Sequence, residues 1–97
     1  EAQRIMDRIA LTAMSPDSSI TVTGHTDDVP ISNGQFRDNW DLGAGRAASV
    51  VQAIQNTGLI SGDRLSAVSK GEMAPLADNN TAAGREQNRR IEIEISY

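Results

Sequence analysis

Residues 91–96 read Ile-Glu-Ile-Glu-Ile-Ser, three isoleucines in strict alternation with three polar side chains. Successive side chains of a strand point to opposite faces, so this run is a strand with one buried face and one charged face. A sheet built that way needs helices on its apolar side, and the rest of the chain must supply them. It has little material to do so. Among 97 residues only Phe36, Trp40 and Tyr97 are aromatic, and 38% are hydrophobic, many of them alanine. The predicted core is therefore thin, made of Ile, Val, Leu and Ala. With no cysteine in the chain, neither a disulfide nor a thiolate metal site can reinforce it.

The elements follow from periodicity. Ile5, Met6, Ile9, Ala10 and Ala13 recur at helical spacing between Ala2 and Met14, with Arg4, Asp7 and Arg8 on the other face. Ser15-Pro16-Asp17 is the expected stop. The chain begins inside this pattern without a cap, which is the expected appearance of a fragment of something longer. Ile20-Thr21-Val22-Thr23 reads as a half-buried strand ended by Gly24, and a polar loop runs on to Asp38. A long helix follows, capped by Asp38 or Asn39, with Trp40, Ala44, Ala47, Val51 and Ile54 as its predicted core stripe and Gly58 as its left-handed end. Gly43 and Gly45 within it signal close packing on a strand or close approach of a ligand. A second strand is expected over 63–69 through Leu65 and Val68, and a helical turn over 85–90. The sum is a single α/β domain over 1–97, a two-layer sandwich with helices on one face of a mixed sheet.

Charge excludes one class of partner. A formal charge of −4 and no basic surface argue against a nucleic-acid binder. The one basic cluster, Arg85, Arg89 and Arg90, has no interleaved aromatics for base stacking. Its expected role is to clamp nearby loop carbonyls or acids, with one arginine reaching a cleft. His25, Asp27 and Asp28 follow a strand end, where sites often form. One histidine with two carboxylates is a thin basis for a metal site or a hydrolase, and no nucleophile motif accompanies it. Asp27 and Arg46 are more informative. Asn39, Leu42 and Arg46 share a face near the start of the long helix. If the loop after Gly24 folds back over that start, Asp27 and Arg46 flank one cleft. The pair then either binds a zwitterion, ammonium to aspartate and carboxylate to guanidinium, or forms a structural ion pair.

Several ordered motifs resemble one family. Ile20-Thr-Val-Thr-Gly-His-Thr-Asp27 is similar to the strand-and-loop signature of OmpA-like peptidoglycan-binding domains, and Asn39-Trp-Asp-Leu42 with Arg46-Ala47 to their helix signature. Gly71-Glu72, Pro75, Asn80-Thr81, Gly84-Arg85 and Asn88-Arg89-Arg90-Ile91-Glu92 continue the pattern. His25 to Ile31 and the lengthened loop to Phe36 and Trp40 resemble the flagellar stator B-subunit (MotB/PomB) branch. The resemblance implies a βαβαβ-type fold whose first strand precedes Glu1. It also implies a non-enzymatic, cofactor-free role: binding the diaminopimelate of the peptidoglycan stem through Asp27 and Arg46, with Thr26, Asn39, Leu42 and Arg90 as cleft neighbours. Such a periplasmic domain of an inner-membrane protein tethers a stator to the cell wall, usually as a homodimer, its stator A partner bound through a transmembrane part outside this chain. The alternatives are the wall anchor of an outer-membrane porin or lipoprotein, and a metal-dependent hydrolase. Gly43 stands where this family usually carries serine.

Overall fold

A computed structural model describes residues 2–12 and 18–97. Its elements are α1 (Ala2–Thr12), β1 (Ser19–His25), α2 (Asn39–Gln55), a 3₁₀ turn (Gly62–Arg64), β2 (Leu65–Gly71), α3 (Ala82–Asn88) and β3 (Ile91–Ser96). The sheet order is β2-β1-β3, with β1 parallel to β2 and antiparallel to β3. This is the mixed sheet of the predicted α/β sandwich. The expected stop at Ser15-Pro16-Asp17 lies outside the described residues. No described helix is long and apolar enough to cross a membrane.

The alternation of β3 sets which face is covered. Ile95 pairs with Ile20, Ile93 with Val22 and Ile91 with Gly24, so one apolar stripe crosses two strands. Ala10 of α1 and Ala47 and Ile54 of α2 close over it, with Ile20, Val22 and Ile60, all 3% exposed or less. Leu65 joins this core from β2. Val68, expected beside it, is 38% exposed, because residues three apart on a strand point to opposite faces.

Helix α2 begins where Asp38 caps it: its side chain accepts from the Asp41 N–H at 3.0 Å. Asp41 returns the favour by accepting from Arg37, through the backbone N–H at 3.1 Å and the guanidinium Nε at 2.7 Å. That hydrogen bond, with the charge of Arg37, holds the Asp41 carboxyl below its ordinary range. The helix ends at Gln55 with Asn56 as C-cap, and Gly58 takes its left-handed conformation (φ 75°) two residues after that cap rather than as the cap itself.

The buried stripe of α2 follows the predicted one from Ala47 through Val51 to Ile54 but departs from it in the first turns. Asn39, Gly43, Ala47 and Ile54 are buried, whereas Trp40 is 46% exposed and Ala44 is exposed. The cause is the glycine contact that the sequence pattern left undecided. A Cβ on Gly24 would lie 2.0 Å from the Gly43 carbonyl oxygen, and one on Gly43 would lie 2.4 Å from Ser69 Oγ. Backbone thus meets backbone where α2 crosses β1, and the helix is rotated to put Gly43, not Trp40 or Ala44, against the sheet. Gly45 makes room for the Phe36 ring instead, its Cβ position 2.9 Å from Cε1. Both glycines serve packing.

An alanine at Gly24 or Gly43 must push helix and strand apart. We expect each to lower the stability to urea by at least about 2 kcal/mol. Gly34→Ala, where an added Cβ meets nothing within 4 Å, is expected to change it by less than about 0.5 kcal/mol.

Candidate functional site

β1 leaves the sheet from a rigid platform. The His25 N–H donates to the Arg90 carbonyl and the Thr26 N–H to the Gly71 carbonyl, both at 2.9 Å, so the strand end is held from both neighbours. On the β2 side the register slips between Gly24 and His25, and Gly71 takes up the slip at φ 52°, a conformation suited to glycine. Asp27 projects from the next turn. Its carboxylate accepts from the Val29 N–H (3.1 Å) and from Arg89 Nη1 (2.7 Å), and its side chain is 12% exposed.

Asn39 ties the loop to the helix. Its amide donates to the carbonyls of Asp27 (3.3 Å) and Val29 (3.1 Å) and reaches Glu72 Oε1 at 3.4 Å. Buried at the first residue of α2, it folds the chain after Asp27 back over the helix start, as the sequence pattern anticipates. Between them lies an open cleft of about 310 Å³, lined by Asp27, Val29, Pro30, Ile31, Asn39, Leu42, Arg46, Arg85 and Arg89. That is the small end of the range for ligand sites.

Four of the six expected residues line it: Asp27, Asn39, Leu42 and Arg46. Thr26 is buried beside it, its hydroxyl donating to the Asp27 carbonyl at 2.8 Å. Arg90 turns elsewhere: Nε donates to Glu92 at 2.8 Å and Nη2 to the Ala74 carbonyl at 3.1 Å. Arg89, the residue that caps the end of α3, enters the cleft in its place. The expected Asp27–Arg46 ion pair is absent too. Asp27 pairs with Arg89, and Arg46 makes no ion pair among the described residues. Arg89, Arg85 and the wall formed by Val29, Pro30 and Ile31 all depend on how α3 and the loops fold.

A second network positions the arginines. Asn88 is wholly buried. Its Oδ1 accepts from the Leu76 and Ala77 N–H groups (2.7 and 2.9 Å), and its Nδ2 donates to the Ala77 carbonyl and to Asn79 Oδ1 (3.0 and 2.8 Å). Thr81 caps α3 by accepting from the Gly84 N–H at 2.9 Å, and Arg85 Nη1 donates to the Asn79 carbonyl at 2.9 Å. The loop over 76–81 is thereby clamped to the short helix that carries Arg85 and precedes Arg89. The predicted clamping of loop carbonyls by this arginine cluster is what Arg85 and Arg90 do.

His25 takes no part in the cleft. It is 3% exposed, with Nε2 at 3.3 Å from Glu92 Oε1 on the face carrying Thr23 and Glu92. Asp28 is exposed, and no three His, Asp or Glu side chains among the described residues converge as metal ligands. The hydrolase alternative finds no constellation here.

A family model described as the OmpA family matches residues 1–89, and the chain belongs to that family. Motility protein B of Bacillus subtilis is 38% identical over 85 residues, 88% of this chain and 33% of that protein. The C-terminal domain of Helicobacter pylori MotB superposes with a TM-score of 0.86 at 31% identity, over 98% of this chain and 73% of that one. Outer membrane porin F of Pseudomonas aeruginosa is 44% identical over 80 residues, 82% of this chain and 22% of that protein. The chain thus spans about a third or less of these two longer relatives. It is a non-enzymatic domain of the family, with the MotB proteins among its relatives.

Two outcomes follow. Asn88→Ala takes the acceptor from the Leu76 and Ala77 N–H groups and should cost roughly 1–3 kcal/mol in urea unfolding. Glu92 is held below its ordinary value of 4.5, first by the Arg90 hydrogen bond and further by the charges of Arg90 and His25. A depressed carboxyl stabilises the fold above its unfolded value and loses that contribution as pH falls through the folded one. Urea midpoints followed downward from pH 5 should therefore fall less steeply for Glu92→Gln than for the wild type.

Proposed function

We propose that this domain binds peptidoglycan without chemistry and anchors a flagellar stator complex to the cell wall. The observation that carries the reading is one cleft holding a nearly buried carboxylate, Asp27, and an arginine without an ion-pair partner among the described residues, Arg46, supplied by different parts of the fold. Diaminopimelate presents an ammonium and a carboxylate on one carbon. Its ammonium replaces Arg89 on Asp27, and its carboxylate takes the planar fork of Arg46. Leu42 and the wall of Val29, Pro30 and Ile31 meet the methylene chain, while Asn39 and Thr26 hold the loop that carries Asp27.

The relatives support the cell-wall setting. Solved neighbours include periplasmic domains of Helicobacter pylori MotB and the cell wall anchor of the T6SS of Pseudomonas aeruginosa, the latter with a TM-score of 0.82 at 34% identity. A periplasmic location, a stator A partner held through a membrane-spanning part of the parent protein, and dimerisation belong to this same reading. The 44% identity to porin F supports a second one, a static outer-membrane anchor using the same cleft. Sequence upstream in the parent separates them: an inner-membrane helix in one case, a barrel or a lipid-attachment motif in the other.

Co-sedimentation with purified diaminopimelate-type sacculi tests the assignment. The wild type should pellet, and Asp27→Ala and Arg46→Ala should each bind at least about tenfold more weakly, the scale of one lost charge-assisted hydrogen bond. Equal pelleting of all three folded proteins would sink the site.

A further inference from the structure

The cleft carries more positive charge than one ammonium and one carboxylate can use. Among the described residues Asp27 is the one acid in its lining, whereas Arg46, Arg85 and Arg89 all line it, in a chain whose formal charge is −4. In the free protein Arg89 satisfies Asp27 at 2.7 Å, Arg85 is bound to a neutral carbonyl, and Arg46 has no ion-pair partner among the described residues. Three cations therefore face one anion before any ligand arrives.

A zwitterionic head group changes the pairing without changing the sum. When its ammonium takes Asp27, Arg89 loses its partner, and its own carboxylate goes to Arg46. Asp27 cannot follow Arg89 outward, because it is 12% exposed and fixed to the Val29 N–H. Arg89 is 41% exposed and free to turn about its long side chain. Without an anion it stands beside Arg85, four residues before it at the end of α3, and like charges at that spacing repel. A second carboxylate on the ligand removes that cost and is matched by two planar donor forks.

We propose that Arg89 and Arg85 form a second anion subsite, and that the cleft selects stem peptides carrying a further free carboxylate, away from the ammonium-bearing carbon, over stems in which that carboxylate is amidated. Arg89 is the moving part: it guards Asp27 in the free protein and grips the second carboxylate in the complex. This inference rests on the peptidoglycan-stem reading above and adds the carboxylate state of the stem as the determinant of specificity.

The test compares two synthetic peptides by isothermal titration. One is L-alanyl-γ-D-glutamyl-diaminopimelate with all carboxylates free. The other is amidated at every carboxylate except the one sharing a carbon with the free ammonium. The wild type should bind the free peptide at least about tenfold more tightly. Arg89→Gln should weaken the free peptide and leave the amidated one unchanged or tighter, since nothing then competes for Asp27. Arg89→Lys should restore part of the preference, and Arg85→Gln should reduce it. General damage to the fold would weaken both peptides together, so the crossed response of Arg89→Gln separates specificity from structure. Equal affinity of the wild type for the two peptides would overturn the second subsite while leaving the stem reading intact. Binding of neither would overturn both. The wild-type comparison decides the matter even if a variant fails to fold.

Discussion

The contact between Gly24 and Gly43 is the constraint on which the rest of the structure depends. With no side chain on either residue, α2 lies directly on the backbone of β1, and its rotation is fixed by which position lacks a Cβ. Asn39 and Arg46 sit one turn either side of Gly43, so the same contact carries the first into the protein and brings the second to the cleft. Ser69 completes the arrangement from β2. Its hydroxyl donates to the Trp40 carbonyl at 2.7 Å, and its oxygen fills the space that a side chain at Gly43 would need. A hydroxyl thus still meets the first turn of α2 where the family usually carries serine on the helix itself, but it comes from the sheet.

The cleft is built so that its acid is rigid and its bases are adjustable. Asp27 is held by backbone on both sides and by the short loop that Asn39 ties down. The arginines reach it on long side chains from α2, from α3 and from the residue just after α3. Buried amides, Asn39 at one wall and Asn88 behind the other, do the positioning, because an amide can satisfy several backbone groups without bringing a charge that needs its own partner. That division keeps net charge in the cleft available for a ligand.

Much of the fold was legible. The Ile-Glu alternation of β3, the β1 signature and the Asp38-capped helix all express local periodicity, which a strand or helix obeys whatever surrounds it. The core stripe of α2 was right from Ala47 on and misplaced before it, because Trp40 and Ala44 fit helical spacing as well as Gly43 does. Hydrophobic pattern alone has no term for backbone proximity. At the site, Asp27, Asn39, Leu42 and Arg46 were legible from strand end and helix face. Arg90 was taken for Arg89 because the two lie between the end of α3 and the start of β3, where no local periodicity says which of two adjacent arginines turns into the cleft.

By itself, the sequence determined the element types, the mixed α/β class and the family, since these rest on local pattern and ordered motifs. Only the tertiary structure decided which arginine faces Asp27, that Arg46 stays unpaired, and that Arg85 joins them. Those outcomes turn on a contact between two glycines nineteen residues apart in the chain, and on loop amides that close across the fold. Distances between charges, which decide what the cleft can bind, are set by that closure and not by spacing along the chain.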